Sequence, residues 1–204
     1  LMRLREKETA KLISPFFFLD IAIKTKLYDT LSSRIIFNAL ELADKTKTVI
    51  SINFTFSDIK NEAFIHQIAE YLYDKENLGA LLVFEITEDE SIESYDIVKE
   101  FIYRFRAYGI RFAIDDFGSG FSNFEYILEI QPDYLKIDGS LVKNIDSDER
   151  SYILVEAIIG FSHKLGIKVI AEYVHNETVF TMLKDLGVDE YQGFYFYEPL
   201  EALL

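Results

Sequence analysis

The chain has 204 residues, of which 50% are hydrophobic, 15% are aromatic and only three are proline, a composition that predicts one packed domain and excludes a disordered chain. It carries 21 lysines and arginines against 35 aspartates and glutamates, which gives a formal net charge of -14. Because no basic run is present, this charge disfavours unassisted binding to DNA or to an anionic membrane, and an anionic substrate would need bound cations.

The sequence has no cysteine, so it has neither a disulfide framework nor a thiolate metal site. This suits a reducing compartment, and we expect a cytoplasmic domain, or one at the cytoplasmic face of the inner membrane if the full protein has membrane segments. The longest apolar stretch, residues 16–19, is broken by Asp20 and Lys24, and a membrane span needs roughly 20 apolar residues. We therefore expect no direct membrane insertion of this domain.

Capping signals and hydrophobic spacing predict the helices in chain order. Ser14-Pro15 is a typical helix start and predicts a helix from Phe16 to Lys26, followed by a second one from about Tyr28 to Lys45. From about residue 48, short β-branched runs alternate with amphipathic stretches, which predict helices near residues 58–75, 91–108, 122–130, 149–165 and 176–186. This alternation indicates a parallel sheet, either open or closed into a barrel.

Polar side chains follow the apolar run of each of six predicted strands. In chain order they are Asn53, Glu85, Asp115 with Asp116, Lys136 with Asp138, Glu172 and Gln192. Polar groups at the carboxyl end of every strand are expected where strands encircle one mouth, so we predict an α/β fold of the TIM-like (β/α)8 barrel type. Because only six strands are visible, we expect the first two to precede residue 1, with residues 1–5 as the tail of a missing strand. The domain then spans residues 1–204 and is incomplete at its amino terminus.

The strand ends supply hard oxygen donors, which magnesium and manganese prefer: Asn53, Glu85, Asp115, Asp116 and Glu172. Neighbouring strand residues point to opposite faces, so Asp115 and Asp116 reach one site only where the strand turns, and residues 117–120 are predicted to supply that turn. Two ions bridged by such an aspartate would clamp a phosphodiester and generate hydroxide from water, while Lys136 would orient that water or neutralise developing charge.

Several of these residues have simpler interpretations. A single carboxylate at a strand end is more often a helix cap, and Asp138 before Gly139 is better interpreted as a cap than as a ligand. For Glu88, a helix cap and an anchor for the glycine turn are equally favoured. His66 and His163 are interpreted as ordinary helix residues, and residues 194–197 as core packing in which one ring could stack on a base.

The motifs together resemble the EAL domain family, bacterial phosphodiesterases that hydrolyse cyclic di-GMP. The matching segments lie in order along the whole chain, and they are Ser51-Ile52-Asn53, Phe84-Glu85-Ile86-Thr87-Glu88, Asp115-Asp116-Phe117-Gly118-Ser119-Gly120-Phe121-Ser122, Lys136-Ile137-Asp138-Gly139, Val169-Ile170-Ala171-Glu172 and Gln192-Gly193-Phe194 leading to Pro199. The resemblance implies a barrel with one antiparallel strand and linearisation of cyclic di-GMP to pGpG, with two Mg²⁺ or Mn²⁺ ions as cofactors.

The resemblance also implies a role for individual residues. The implied metal ligands are Asn53, Glu85, Asp115, Asp116 and Glu172, and the implied catalytic residues are Lys136, Glu172 and Asp116. The implied substrate-binding residues are Arg3, Gln192, Phe194 and Pro199, with Arg3 gripping a phosphate through its planar fork and Glu88 anchoring the loop after Asp116. Expected partners are cyclic di-GMP, a second copy of the chain in a homodimer, and upstream regulatory or cyclase domains fused to this one, but not DNA.

Two departures from the family pattern leave a second function open. The glutamate of the Glu-Ala-Leu signature would lie two residues before Leu1, and the family's Ala-Glu-Gly-Val-Glu segment has Tyr173 for glycine and His175 for the second glutamate. Histidine can coordinate a metal but lacks the carboxylate charge. The alternatives are therefore a phosphodiesterase and a catalytically degenerate EAL domain that senses cyclic di-GMP or contacts a partner protein. Another metal-dependent barrel enzyme is disfavoured by the motif matches.

Overall fold

The computed structural model describes residues 4–5, 9, 12–14, 17–87, 95–120 and 124–199. Two short strands, β1 (Leu4–Arg5) and β2 (Leu12–Ile13), pair antiparallel in a ribbon separate from the main sheet. The residues expected to form the tail of a missing strand thus include one strand of this ribbon. Helices α1 (Leu19–Lys24) and α2 (Tyr28–Thr46) follow.

A six-stranded parallel sheet forms the centre of the domain. Its strands are β3 (Ile50–Phe54), β4 (Leu82–Thr87), β5 (Arg111–Phe117), β6 (Tyr134–Ile137), β7 (Lys168–Ala171) and β8 (Glu190–Tyr191). Each strand pairs in parallel with the next one along the chain, so the order in space is the order in sequence. This arrangement confirms the predicted α/β, TIM-like fold.

Helices connect successive strands. They are α3 (Phe56–Lys60), α4 (Glu62–Tyr73), α5 (Tyr95–Arg106), α6 (Phe124–Ile130), α7 (Gly139–Val142), α8 (Glu149–Lys164) and α9 (Glu177–Asp185), with a 3-10 turn at Gly79–Leu81 before β4. Within the described ranges, no helix has both the length and the apolar character that a membrane span requires.

Helix boundaries depart from the prediction where local caps intervene. The helix predicted over residues 58–75 is divided in two, because Thr55 and Asp58 form a capping box that begins α3, and the Asn61 side chain accepts a hydrogen bond from the Phe64 amide to begin α4. The first helix begins at Leu19 rather than Phe16, and it ends before Lys26, whose φ of 59° is left-handed.

The main core lies between the outer face of the sheet and the helices. Phe84 of β4 is fully buried there, and its ring centroid lies 4.5 Å from that of Phe54 and 5.4 Å from that of Phe105. Burial of each such ring stabilises the fold by about 1.5–3 kcal/mol. The opposite, inner face of the sheet carries a smaller apolar cluster, Val83, Ala113 and Tyr134 with Ile170 packed against it.

Candidate active site

The polar site is built by the alternation of side chains along four strands. Residues two positions apart lie on the same face of a strand. Each member of the inner apolar cluster is therefore followed, two residues later and on the same face, by a polar residue nearer the carboxyl end of the strand. These residues are Glu85 after Val83, Asp115 after Ala113, Lys136 after Tyr134 and Glu172 after Ile170. The predicted convergence of strand-end polar groups therefore holds for these four.

Lys136 forms the centre of this site and is only 4% exposed. Its Nζ lies 2.7 Å from Asp115 Oδ1, 2.8 Å from Glu172 Oε1 and 3.1 Å from Glu85 Oε2. Burial by itself would lower the pKa of Lys136, but the charges of the three carboxylates outweigh it and raise that pKa above its usual range. The ammonium is therefore charged at neutral pH and holds carboxylates from three strands together.

Asp116 joins Asp115 at the site because the strand is distorted at this point. Asp116 has a left-handed φ of 56°, and the pairing of β5 with β6 shifts register between Ile114 and Phe117. This irregularity resembles a β-bulge, which re-aims side chains that would otherwise alternate. The prediction placed the turn at residues 117–120, whereas β5 continues to Phe117 and the change of direction occurs at Asp116 itself.

Three carboxylates could hold a divalent cation. Oxygen atoms of Asp115, Asp116 and Glu172 all lie within 4.8 Å of one another. Burial raises the pKa of Glu172, the nearby Asp115 and Asp116 charges act in the same direction, and the ammonium of Lys136 opposes both. Together with Glu85, four carboxylates face one ammonium, which leaves a negative balance. A cluster of hard oxygen donors with this balance fits Mg²⁺ or Mn²⁺.

The sequence as a whole matches the EAL domain over residues 1–199. The chain belongs to the EAL domain family. Cyclic di-GMP phosphodiesterase PdeA of Borreliella burgdorferi is 32% identical over 151 residues, which cover 74% of this chain and 22% of that protein. Cyclic di-GMP phosphodiesterase PdeB of Shewanella oneidensis is 30% identical over 199 residues, which cover 95% of this chain and 23% of that protein. The chain thus spans less than a quarter of the length of these relatives.

Solved structures agree with this assignment. The PaMucR phosphodiesterase in complex with c-di-GMP superimposes on this EAL domain with a TM-score of 0.89 and 25% identity, covering 99% of this chain and 84% of that one. The likeness covers both the six parallel strands and the helices that connect them, so it supports the fold inferred from the alternating pattern.

Four further predicted site residues of this EAL domain lie in the described part of the chain. Asn53 is exposed on β3 and is paired in register with Glu85. Gln192 follows β8. Its backbone N–H donates a hydrogen bond of 2.8 Å to the Ala171 carbonyl, and the residue is exposed. Phe194 is 68% exposed and residues 195–197 are exposed as well, so the prediction that residues 194–197 pack in the core was wrong; Pro199 is also exposed. The roles given to these four residues stay predictions.

Two further predicted residues, Arg3 and Glu88, lie outside the described residues. The prediction that Asp138 is a cap is confirmed, since its side chain accepts a hydrogen bond from the Ser140 amide at 2.9 Å at the start of α7.

The substituted segment after Glu172 adopts an unusual backbone. Tyr173 has a left-handed φ of 56°, a conformation that glycine adopts without steric cost and tyrosine only with strain. Its side chain packs on Gly139, where an added Cβ would lie 2.8 Å from Tyr173 Cβ. His175 is exposed, with Nδ1 3.2 Å from the Tyr173 carbonyl oxygen. The sequence did not predict the contact between Tyr173 and Gly139. The available signal was Gly139 itself, because a glycine allows another side chain to approach its backbone closely.

Proposed function

We propose that this EAL domain is a phosphodiesterase that hydrolyses cyclic di-GMP to linear pGpG with Mg²⁺ or Mn²⁺. The observation that carries the proposal is the cluster of Asp115, Asp116 and Glu172, in which Asp115 and Glu172 contact the buried ammonium of Lys136. A protein that only contacts partners has no chemical need for converging, partly buried carboxylates, because burying charge is costly unless it serves a site. The relatives named cyclic di-GMP phosphodiesterases at 30–32% identity support the same substrate.

In this proposal Asp115, Asp116 and Glu172 hold the metal, with Glu85 and Asn53 as further ligands from the neighbouring strands. When bound, divalent ions supply Lewis acidity toward the phosphodiester and lower the pKa of water, so that hydroxide is available near neutral pH. The negative balance of the cluster would otherwise repel the phosphodiester, because substrate and site carry charge of the same sign.

Lys136 has two roles in this chemistry. Its buried ammonium fixes the positions of Glu85, Asp115 and Glu172 before substrate arrives, which avoids reorganisation during the reaction. The same charge stabilises negative charge on the attacking water or the phosphoryl oxygens. Asp116 and Glu172 complete the catalytic set, whereas Gln192, Phe194, Pro199 and Arg3 bind the nucleotide and Glu88 anchors the loop after Asp116.

The test uses protein that carries residues 1–204 in their natural sequence context, incubated with cyclic di-GMP and Mn²⁺, with chromatography of the products. Formation of pGpG, lost in Glu172→Gln and in Asp116→Asn but retained in the exposed control Lys143→Gln, is the expected result. Tight binding of cyclic di-GMP without any product would contradict the proposal.

A degenerate domain that only binds cyclic di-GMP is the second candidate, and Tyr173 and His175 favour it. Restoring the family residues by Tyr173→Gly with His175→Glu discriminates the two candidates. If turnover appears only in the restored protein, the natural chain is a sensor.

We further propose a cytoplasmic homodimer fused to regulatory or cyclase domains, which fits relatives several times longer than this chain.

A further inference from the structure

A second pocket lies at the end of the sheet opposite the acidic cluster. It has a volume of about 550 Å³ and is bordered by the connections that precede β6 and β7, with residues 131–134 on one side and 165–168 on the other. Leu128 and Leu165 supply apolar wall, while Arg111 at the start of β5 contributes charge. Pockets of 300–1,000 Å³ are typical of small-molecule sites.

Two cations converge on one buried aromatic ring in this pocket. The ring of Tyr134 has the Arg111 guanidinium carbon at 5.7 Å from its centroid and the Lys168 Nζ at 5.9 Å. Tyr134 is 6% exposed, and its hydroxyl oxygen accepts a hydrogen bond of 2.6 Å from Arg111. The ring therefore fixes the arginine, whose second terminal nitrogen donates to the Ala80 carbonyl at 3.2 Å.

Among the described residues neither cation has a carboxylate oxygen within 4.0 Å, although the charge of Lys168 also acts on Asp189. The acidic group that lines the pocket, Asp133, is already engaged, because one of its oxygens accepts the Phe112 amide at 2.8 Å and lies 3.8 Å from Arg106. In a chain of net charge -14, two cations that line one pocket are a local concentration of positive charge. An anion in the pocket would be attracted by both charges.

We propose that this pocket, defined by Arg111, Tyr134 and Lys168, binds a small phosphate-bearing anion. Arg111 donates to the phosphate through the N–H groups that its hydrogen bonds to Tyr134 and Ala80 leave free, and Lys168 contributes a point charge. The pocket is larger than a phosphate ion, so an organic monophosphate with a small polar body fits the space. Arg111 lies four residues before Asp115 on the same strand, about 13 Å away, so the site is separate from the acidic cluster.

The test is calorimetric titration with inorganic phosphate and, in a second arm, with ribose 5-phosphate, in the presence of a metal chelator and at constant ionic strength. Saturable binding is expected with both ligands, and tighter binding of ribose 5-phosphate would identify an organic phosphate as the better ligand. The substitutions Arg111→Gln and Lys168→Gln should each weaken binding by about tenfold or more, the loss expected for a charge-assisted hydrogen bond.

The control is Lys143→Gln, which removes the same charge from an exposed lysine after α7 and should leave binding unchanged. Because Arg111 also contacts Tyr134 and Ala80, the exposed Lys168 provides the variant that is expected to fold normally. Amide chemical shifts should move at Gly166 and Ile167 and not at the carboxyl ends of the strands. The proposal is overturned by absence of saturable binding up to about 10 mM, by binding that Lys168→Gln leaves intact, or by shifts at the acidic cluster. The outcome of this phosphate-binding test does not depend on whether the domain has phosphodiesterase activity.

Discussion

Replacing Lys136 with methionine removes the ammonium from the acidic cluster while it keeps most of the side chain's length and volume. Glu85, Asp115 and Glu172 then lose a partner that lies 3.1, 2.7 and 2.8 Å away. Removal of one partner from a buried ion pair costs about 3–5 kcal/mol, because a buried charge is left uncompensated. Since the free energy of unfolding of small domains is about 5–15 kcal/mol, the variant should lose a large fraction of its stability.

A divalent cation should offset this loss, because it supplies the missing positive charge. A ligand at 100 times its Kd stabilises the folded protein by about 2.7 kcal/mol. We expect Mn²⁺ to stabilise Lys136→Met more than the unsubstituted protein, since the cation in the variant no longer binds beside a competing ammonium. If Lys136 acts on the attacking water as proposed, catalytic turnover should be lost in the variant at every Mn²⁺ concentration.

The free energy of unfolding is measured by urea titration followed by circular dichroism, with and without Mn²⁺. Lys143→Met, at an exposed position, is the matched control and should change stability by less than about 0.5 kcal/mol. A double-mutant cycle with Glu85→Gln should show coupling, because the second substitution removes one of the unpaired carboxylates. Equal urea midpoints for Lys136→Met and the control, or additive effects in the cycle, would refute the reasoning.

Three further predictions concern neighbouring features. Asp116→Asn should weaken Mn²⁺ binding, measured by calorimetry, with little loss of stability, because asparagine tolerates the left-handed φ of 56° that makes Asp116→Ala destabilising by about 1 kcal/mol. Gly139→Ala should destabilise the domain by about 1–3 kcal/mol through the 2.8 Å approach to Tyr173, and Tyr173→Gly should rescue it in thermal unfolding. Burial raises the pKa of Asp189, but the Val169 amide and His163 outweigh it and lower that pKa. Asp189→Asn should therefore cost less than about 1 kcal/mol at pH 6, where the carboxylate is ionised but partly screened by solvent, and the difference from the unsubstituted protein should vanish as the pH falls through the depressed pKa.

The parts of the site that depend on local periodicity could be predicted from sequence. Side chains alternate between the two faces of a strand. Glu85, two residues after Val83, therefore shares a face with Val83, and Lys136, two residues after Tyr134, shares a face with Tyr134. The order of strands followed from the βα alternation, because sequential parallel strands with helical crossovers usually lie side by side. Both arguments use only neighbouring residues.

Features that depend on distant contacts could not be predicted in this way. Aspartate adopts a left-handed φ only occasionally, so the sequence around Asp116 gave no reason to place the bulge there rather than in the following glycine turn. The role of Lys136 as a partner of three carboxylates depends on Glu85, 51 residues earlier in the chain. In contrast, the break at Asn61 had a local signal, because asparagine is a preferred N-cap residue, but the helical periodicity obscured it.

The substituted segment after Glu172 bears directly on the choice between catalysis and binding alone. Tyr173 holds a left-handed backbone at a cost of about 1–2 kcal/mol, which packing against Gly139 helps to offset. The Glu172 amide donates to the Ile137 carbonyl at 3.2 Å, and two residues later the Val174 amide donates to the Gln192 carbonyl at 3.0 Å. The backbone is thus fixed on both sides of the substitution, and the Glu172 carboxylate still reaches Lys136. Replacement of the family glycine therefore does not displace the Glu172 carboxylate from Lys136, which favours the phosphodiesterase proposal over a sensor.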